Sequence, residues 1–321
     1  GRFGGPRVWS DSAVRAARTA IDLNADLAEG HRALGHTYRV QGRFRDALES
    51  YRTAVRLEPN DPTAVQSIGQ VVLLLGRYDE AVRWYRRSAR LEPDNASLRR
   101  SLAYAHVHLG MDGPAEEWLQ EALRLDPGSV HAQGLAIQLA VYRRGREAVL
   151  RAAERNVRQA PDDALAWTQA AGGAYMVRAF DRSATWARES LRIAPDNELV
   201  YWHYTRTLLG LSLIQSGREQ QGRKVLERAI EDNDRRLEAG VERPTRWDLA
   251  GSHAALGSPD AAFRWLERAY EVGFRHPRWL EFDPAFDPFR DHPRYREILT
   301  TLEDDVERMR DRLRRGGEVS R

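Results

Sequence analysis

The sequence predicts an all-α solenoid, a stack of helix–turn–helix hairpins closed by a C-terminal aromatic and helical cap. One phrase recurs as "RLEPNDPTAV" at 56–65, "RLEPDNASLR" at 90–99, "RLDPGSVHAQ" at 124–133, "RQAPDDALAW" at 158–167 and "RIAPDNELVY" at 192–201. Its prolines, Pro59, Pro93, Pro127, Pro161 and Pro195, are each 34 residues apart. Between them the same residue types return at the same step: Leu34, Ile68 and Leu102; Gly42, Gly76 and Gly110; Ala47, Ala81 and Ala115; Tyr51, Tyr85 and Leu119. Within each unit the apolar residues lie three or four apart, the spacing that puts side chains on one face of a helix. A hairpin of this size cannot bury its own apolar face, so successive copies must stack.

The elements follow in order. Residues 12–23 supply a single helix whose stripe of Ala13, Ala16, Ala17, Ala20 and Leu23 asks for a partner upstream, or else stands as a frayed half-cap. A start at Gly1 rather than methionine, with no basic and apolar leader in "GRFGGPRVW", suggests a piece of something longer. In the first full unit His31, Leu34, Gly35 and Tyr38 share one side of helix A. Gly42 permits the turn, Phe44 packs over it, and Ala47, Tyr51, Ala54 and Leu57 line helix B. Gly35 and Ala47 let the two backbones approach, and the aromatics at 38 and 51 are expected to fill the space between units.

The repeated phrase itself is punctuation: Pro59 stops helix B, Asn60 and Asp61 offer caps to the next helix, and Pro62 fits its first turn. The fourth unit is degraded, with Ile137 where Gly or Ala is usual and "YRRGRE" in place of a clean turn. In the fifth, Gly172 and Gly173 inside helix A cost about 1 kcal/mol each relative to alanine, which points to a close neighbour, a packed helix or a ligand backbone. Realigning on Gly217 and on Gly257 recovers two further units, and the polar stretch 231–246 reads as an extended helix B or a loop. Last comes the aromatic series Trp265, Phe274, Trp279, Phe282, Phe286, Phe289 and Tyr295, with Asp283–Pro284 and Asp287–Pro288 as turn chemistry. The expected division is 1–27 as an incomplete repeat, 28–276 as the array (five regular units over 28–197, two less regular over about 198–276), and 277–321 as cap and charged helix.

This register resembles the tetratricopeptide repeat, whose 34-residue helix–turn–helix signature it shares over residues 28–197 and less regularly beyond. The resemblance implies a right-handed superhelix whose helix A faces line a concave groove. The closing segment, and the phrase "AARTAIDLNADLAEGHRALG" at 16–35, further resemble the repeat regions of multidomain bacterial signalling proteins that carry kinase, nucleotide cyclase or DNA-binding domains elsewhere.

Composition narrows the function. Fifty basic against 47 acidic residues leave a formal charge of +3, which does not indicate a general nucleic-acid binder. Lys224 is the only lysine, and arginine usage of this kind looks like GC-rich bacterial coding. There is no cysteine, hence no disulfide framework or thiol nucleophile, and the longest apolar run, "VVLLLG" at 71–76, is far short of the roughly 18 residues of a membrane span. The compartment stays open: cytoplasm is favoured, with periplasm for a chain behind an upstream membrane anchor.

No nucleophile, base and orienting group fall together, and no cofactor motif is present; "GREQQGRK" at 217–224 sits on a helical hairpin rather than after a strand. His106 and His108 point to different sides of a helix, and Asp283, Asp287 and Asp291 read as turn chemistry rather than as the six or more oxygens that calcium takes. The groove positions implied by the resemblance are Arg32, His36, Arg39, Gln66, Gln70, Arg100, Tyr104, His108, His131, Gln138, Tyr142, Thr168 and Tyr175, with Glu29 as the acidic exception. Guanidinium forks, amides and tyrosines suit a peptide of acidic character or a free C-terminus. The family's carboxylate clamp is not supported, because Arg32 is followed by His36 where asparagine is wanted, then by Gln70 and Tyr104. The expected function is a non-enzymatic protein-binding scaffold; the alternative is the sensory or oligomerising half of a larger signalling protein, and a hydrolase using Asp283 or His292 is placed last.

Overall fold

The computed structural model describes residues 6–195 and 200–316. Helix α1 (Pro6–Leu23) is followed by hairpins α2 (Ala28–Val40)/α3 (Phe44–Leu57), α4 (Pro62–Leu74)/α5 (Tyr78–Leu91), α6 (Ala96–His108)/α7 (Asp112–Leu125), α8 (Val130–Tyr142)/α9 (Arg146–Gln159) and α10 (Ala164–Met176)/α11 (Phe180–Ile193). A two-residue antiparallel pairing of β1 (Val200–Tyr201) with β2 (His203–Tyr204) interrupts the helices, turning at Trp202 with φ 62°. Hairpins α12 (Thr205–Gln215)/α13 (Glu219–Glu238) and α14 (Arg243–Ala255)/α15 (Pro259–Glu271) follow. The chain ends in α16 (Pro277–Phe282), a 3₁₀ turn over Pro284–Phe289, and α17 (Pro293–Arg315). The start of the expected first segment, the junction of the fifth and sixth units and the end of the cap, at 1–5, 196–199 and 317–321, lie outside the described residues.

The punctuation works as chemistry requires, with Asp61 as the acting cap. Its Oδ1 accepts from the amides of Thr63 at 2.8 Å and Ala64 at 3.2 Å, and Pro62 opens α4. Asn95 caps α6 and Asp163 caps α10 in the same way. The A–B turns of the first three hairpins are left-handed at Gly42, Gly76 and Gly110, with φ of 73°, 74° and 67°. The fourth and fifth put Arg144 (φ 57°) and Arg178 (φ 59°) in the same conformation, which costs a side-chain-bearing residue about 1 kcal/mol or more.

Small residues seat large ones. A Cβ on Gly35 would lie 2.8 Å from the Tyr51 ring, and one on Gly69 would lie 2.7 Å from Tyr85. Tyr51 therefore packs against the partner helix of its own hairpin, within a core cluster that also holds Ala64 and Ile68 of the next unit. In the fourth and fifth hairpins the arrangement is inverted: Ile137 is large, and Gly173 receives it, so that a Cβ on Gly173 would collide with Ile137 Cγ2. Gly173 of α10 thus answers to packed helices, α8 and α9. The stretch after 231 is an extended helix, α13, followed by a short loop.

The array does not stay open. Arg243, at the start of α14, donates to the carbonyls of Leu73 and Leu74 at 3.1 and 2.7 Å. At the Gly76 turn a Cβ would collide with the carbonyl oxygen of Gly273. Tyr78 pairs with His276, Arg278 grips Asp112 at 2.6 and 3.2 Å, and Arg312 grips buried Asp79 at 2.7 and 3.2 Å. Met309 and Leu313 of α17 are buried in the same core cluster as Ile68, Val72 and Leu102. The last elements thus fold back across the concave side and close on the turns of the second and third hairpins.

Candidate functional site

Closure leaves a central cavity of about 2230 Å³ between the early helix A faces and the returning elements. Arg39 from the end of α2, Arg100 and Tyr104 from α6, and His131 and Gln138 from α8 line it on one side. Trp202, Arg243, Trp247, His276 and Trp279 line it on the other. Arg39, Arg100 and Arg243 have no carboxylate within 4.0 Å among the described residues; Arg43, Arg77 and Arg275, on the same walls, are paired with Asp46, Glu80 and Asp305.

The electrostatics are those of a partly dehydrated cationic wall. Burial lowers the pKa of Arg100, with Tyr85 and Tyr104 acting against it, because a charge removed from water is disfavoured. Burial raises Tyr104, which feels both Arg243 and Arg100, so these two cations approach one hydroxyl from opposite walls. Burial and Arg100 together lower His131. The indole N–H of Trp247 is buried and has no acceptor among the described residues. Nine arginines line the cavity against four carboxylates, Asp46, Glu49, Glu242 and Glu271, so the balance of the wall is cationic.

Of the thirteen groove positions the sequence proposes, the fold brings Arg39, Arg100, Tyr104, His131 and Gln138 to this cavity. Arg32 is engaged elsewhere, 3.4 Å from Asp61 and 3.5 Å from Glu29, and exposed His36 accepts from Arg39 at 3.3 Å. Gln66 and Gln70 are half-buried on α4 and do not line it. The remaining four are covered by the chain itself. His108 lies 4.1 Å from the His276 ring and 5.9 Å from Trp279, and Tyr142 lies 5.5 Å from Phe282. Thr168 bonds Ser190 and Thr205 at 2.8 Å each, and the Tyr175 hydroxyl donates to Asp283 at 2.9 Å. The acidic segment expected of a partner is, on this stretch, the chain's own: Glu281 meets Arg144 at 3.2 Å, and Asp287 meets Arg178 at 2.8 Å.

Trp247 was within reach of the sequence, since it stands ten residues before Gly257 as Arg32 stands ten before Gly42, a groove position in the realigned register. His276 and Trp279 lie beyond the repeats and carry no such signal.

Beneath the cavity His203 joins two carboxylates, Nδ1 to Asp248 at 3.0 Å and Nε2 to Asp283 at 2.7 Å. Asp248 also accepts from the Tyr204 amide, Thr207 and Asn233, and Asp283 from Tyr175 and the Ala285 amide. Burial alone would lower the pKa of His203, but the two aspartates outweigh it and raise it to about 9. With every carboxylate oxygen engaged, this knot ties the strand pair to α14, α10 and the 3₁₀ turn. Among the described residues no set of three or more His, Asp or Glu is arranged to hold a metal ion, and no helix is long and apolar enough to cross a membrane. Asp287 and Asp291 serve Arg178, Arg290 and Arg296, and His292 caps α17.

Two family profiles described as tetratricopeptide repeat match residues 32–96 and 72–139. No curated protein matches in sequence. Among solved structures the chain is similar to yeast Tom70, with 13% identity, TM-score 0.59, and coverage of 95% of this chain and 60% of that one. It is also similar to a tetratricopeptide repeat protein from Parabacteroides merdae, at 15% identity and TM-score 0.55, covering 86% of this chain and 91% of that one. The APC/C hetero-tetramer Cut9–Hcn1 gives 14% identity and TM-score 0.59 over 81% of this chain and 46% of that one.

Proposed function

We propose that this all-α solenoid, whose residues 32–96 and 72–139 match tetratricopeptide repeat profiles, is a non-enzymatic interaction scaffold that holds an acidic segment, or the free C-terminus, of a partner protein in the central cavity. The supporting observation is the convergence of Arg39, Arg100 and Arg243 on one cavity, none of them within 4.0 Å of a carboxylate among the described residues. Guanidinium groups in a partly dry site favour ligands that restore their charge balance, and planar carboxylates match their paired donors.

A fluorescein-labelled glutamate-rich octapeptide titrated by anisotropy tests this. Arg39→Glu with Arg100→Glu reverses two of the three charges without touching the bonds from Arg243 that close the ring. At roughly 1.5–3 kcal/mol for each charge-assisted contact, the double variant is expected to bind at least about a hundredfold more weakly. The same change at exposed Arg151 and Arg155 of α9 serves as control. Equal binding by wild type and the Arg39/Arg100 variant removes the assignment.

A further inference from the structure

The last residue of each helix A falls at the 34-residue step: Val40, Leu74, His108, Tyr142 and Met176. These five are apolar or aromatic rungs at one repeat position, of which Val40 and Leu74 line the cavity. In the third and fourth hairpins aromatic residues of the returning segment pack on them, and in the second and fifth the rung is at least half-buried. Leu74 is half-buried under Arg243, which bonds its carbonyl at 2.7 Å. His108 packs on Trp279, Tyr142 packs on Phe282, and Met176 is buried. The first rung alone is bare: Val40 is 62% exposed, one of four large exposed hydrophobics among the described residues.

A second of those four, Val241 at 36%, lies on the facing turn between α13 and α14. The two turns approach at Gly42, where a Cβ would stand 3.6 Å from the Gly240 carbonyl oxygen, and both valines line the cavity. Phe44, Pro244 and Val272 are half-buried on the same lip.

We infer that Val40 and Val241 form an apolar subsite for a partner segment in which an aromatic or aliphatic residue adjoins the acidic ones. The chain supplies its own template for that ligand. Its segment Trp279–Asp283, "WLEFD", gives Trp279 to the third rung, Phe282 to the fourth and Glu281 to Arg144. The bare first rung adjoins Arg39 in sequence and both line the cavity, so a similar mixture of aromatic and carboxylate chemistry fits it. This rests on the reading of the cavity as a site for an acidic segment.

The test uses two labelled octapeptides on the 321-residue chain, Glu-Glu-Trp-Leu-Glu-Phe-Asp-Glu and its counterpart with Ser at the three apolar positions. Burial of one aromatic side chain on the lip is expected to make the first bind about tenfold more tightly or better. Val40→Ser with Val241→Ser, both at exposed positions, is expected to bring that ratio to about one and leave the affinity for the serine peptide unchanged. Equal binding of both peptides by wild type, or a ratio that survives in the valine variant, overturns the subsite and leaves the acidic-cavity reading standing. Binding of neither peptide overturns both.

Discussion

At the residue scale, the left-handed turn positions divide by what they touch. Gly76 and Gly217 share positive φ, 74° and 82°, but a Cβ on Gly217 meets nothing within 4 Å, while one on Gly76 strikes the Gly273 carbonyl. Gly217→Ala is therefore expected to cost about 1–2 kcal/mol of conformational strain and no more. Gly76→Ala adds a backbone clash at the ring closure, so its loss in chemical denaturation should be clearly larger, and its radius of gyration by small-angle scattering should grow. Equal losses in the two variants would show that the Gly76–Gly273 approach does not hold the ring. Arg144 and Arg178 show the opposite use of the same turn. Each accepts backbone strain that glycine would avoid, and each places a guanidinium on a carboxylate of the returning segment, Glu281 and Asp287.

At the element scale, α17 is the clearest departure from a simple stack. Repeat arrays ordinarily bury each unit only against its neighbours. Here a helix from the end of the chain enters the core of the first hairpins through Met309 and Leu313, anchored by Arg312 on Asp79. Truncation of a buried Met or Leu to alanine costs about 2–5 kcal/mol. Met309→Ala with Leu313→Ala is therefore expected to destabilise the fold by about 4 kcal/mol or more in urea titration. Faster amide exchange should appear in α17 and also in α5, against which it packs. Exchange confined to α17 would mean that the helix is an appendage. The stripe Tyr295, Leu302, Val306, Met309 and Leu313 is readable as an amphipathic face, but its destination is not, because helical spacing says which side is buried and nothing about what buries it.

At the scale of the whole molecule, buried histidines couple stability to pH by two opposite devices. His203 is raised to about 9 by Asp283 and Asp248 against the effect of burial, so its contribution is complete below its ordinary value of 6.5 and is lost as pH rises through about 9. Burial lowers His106 to about 4, and burial with neighbouring basic groups holds His108 and His276 well below 6.5. Their contribution is complete above 6.5 and is lost as pH falls below it. The melting temperature is expected to decline on both sides of a broad maximum, and His203→Gln should flatten the alkaline side while leaving the acid side sloping. An alkaline slope unchanged in that variant would sink the assignment.

The hairpins are written in local chemistry: the 34-residue step, the caps at Asp61, Asn95 and Asp163 and the turn glycines are all decided within a few residues of one another. The resemblance that this step carries also names five residues that meet at the cavity. Which of those positions remain open is settled by long-range packing. Curvature is a sum of small rotations between units, and no local pattern encodes that Tyr78 will meet His276 across 198 residues. Once the ring closes, His108, Tyr142 and Tyr175 are covered by the chain's own aromatic and acidic segment, while Arg39, Arg100 and Val40 are left facing the cavity.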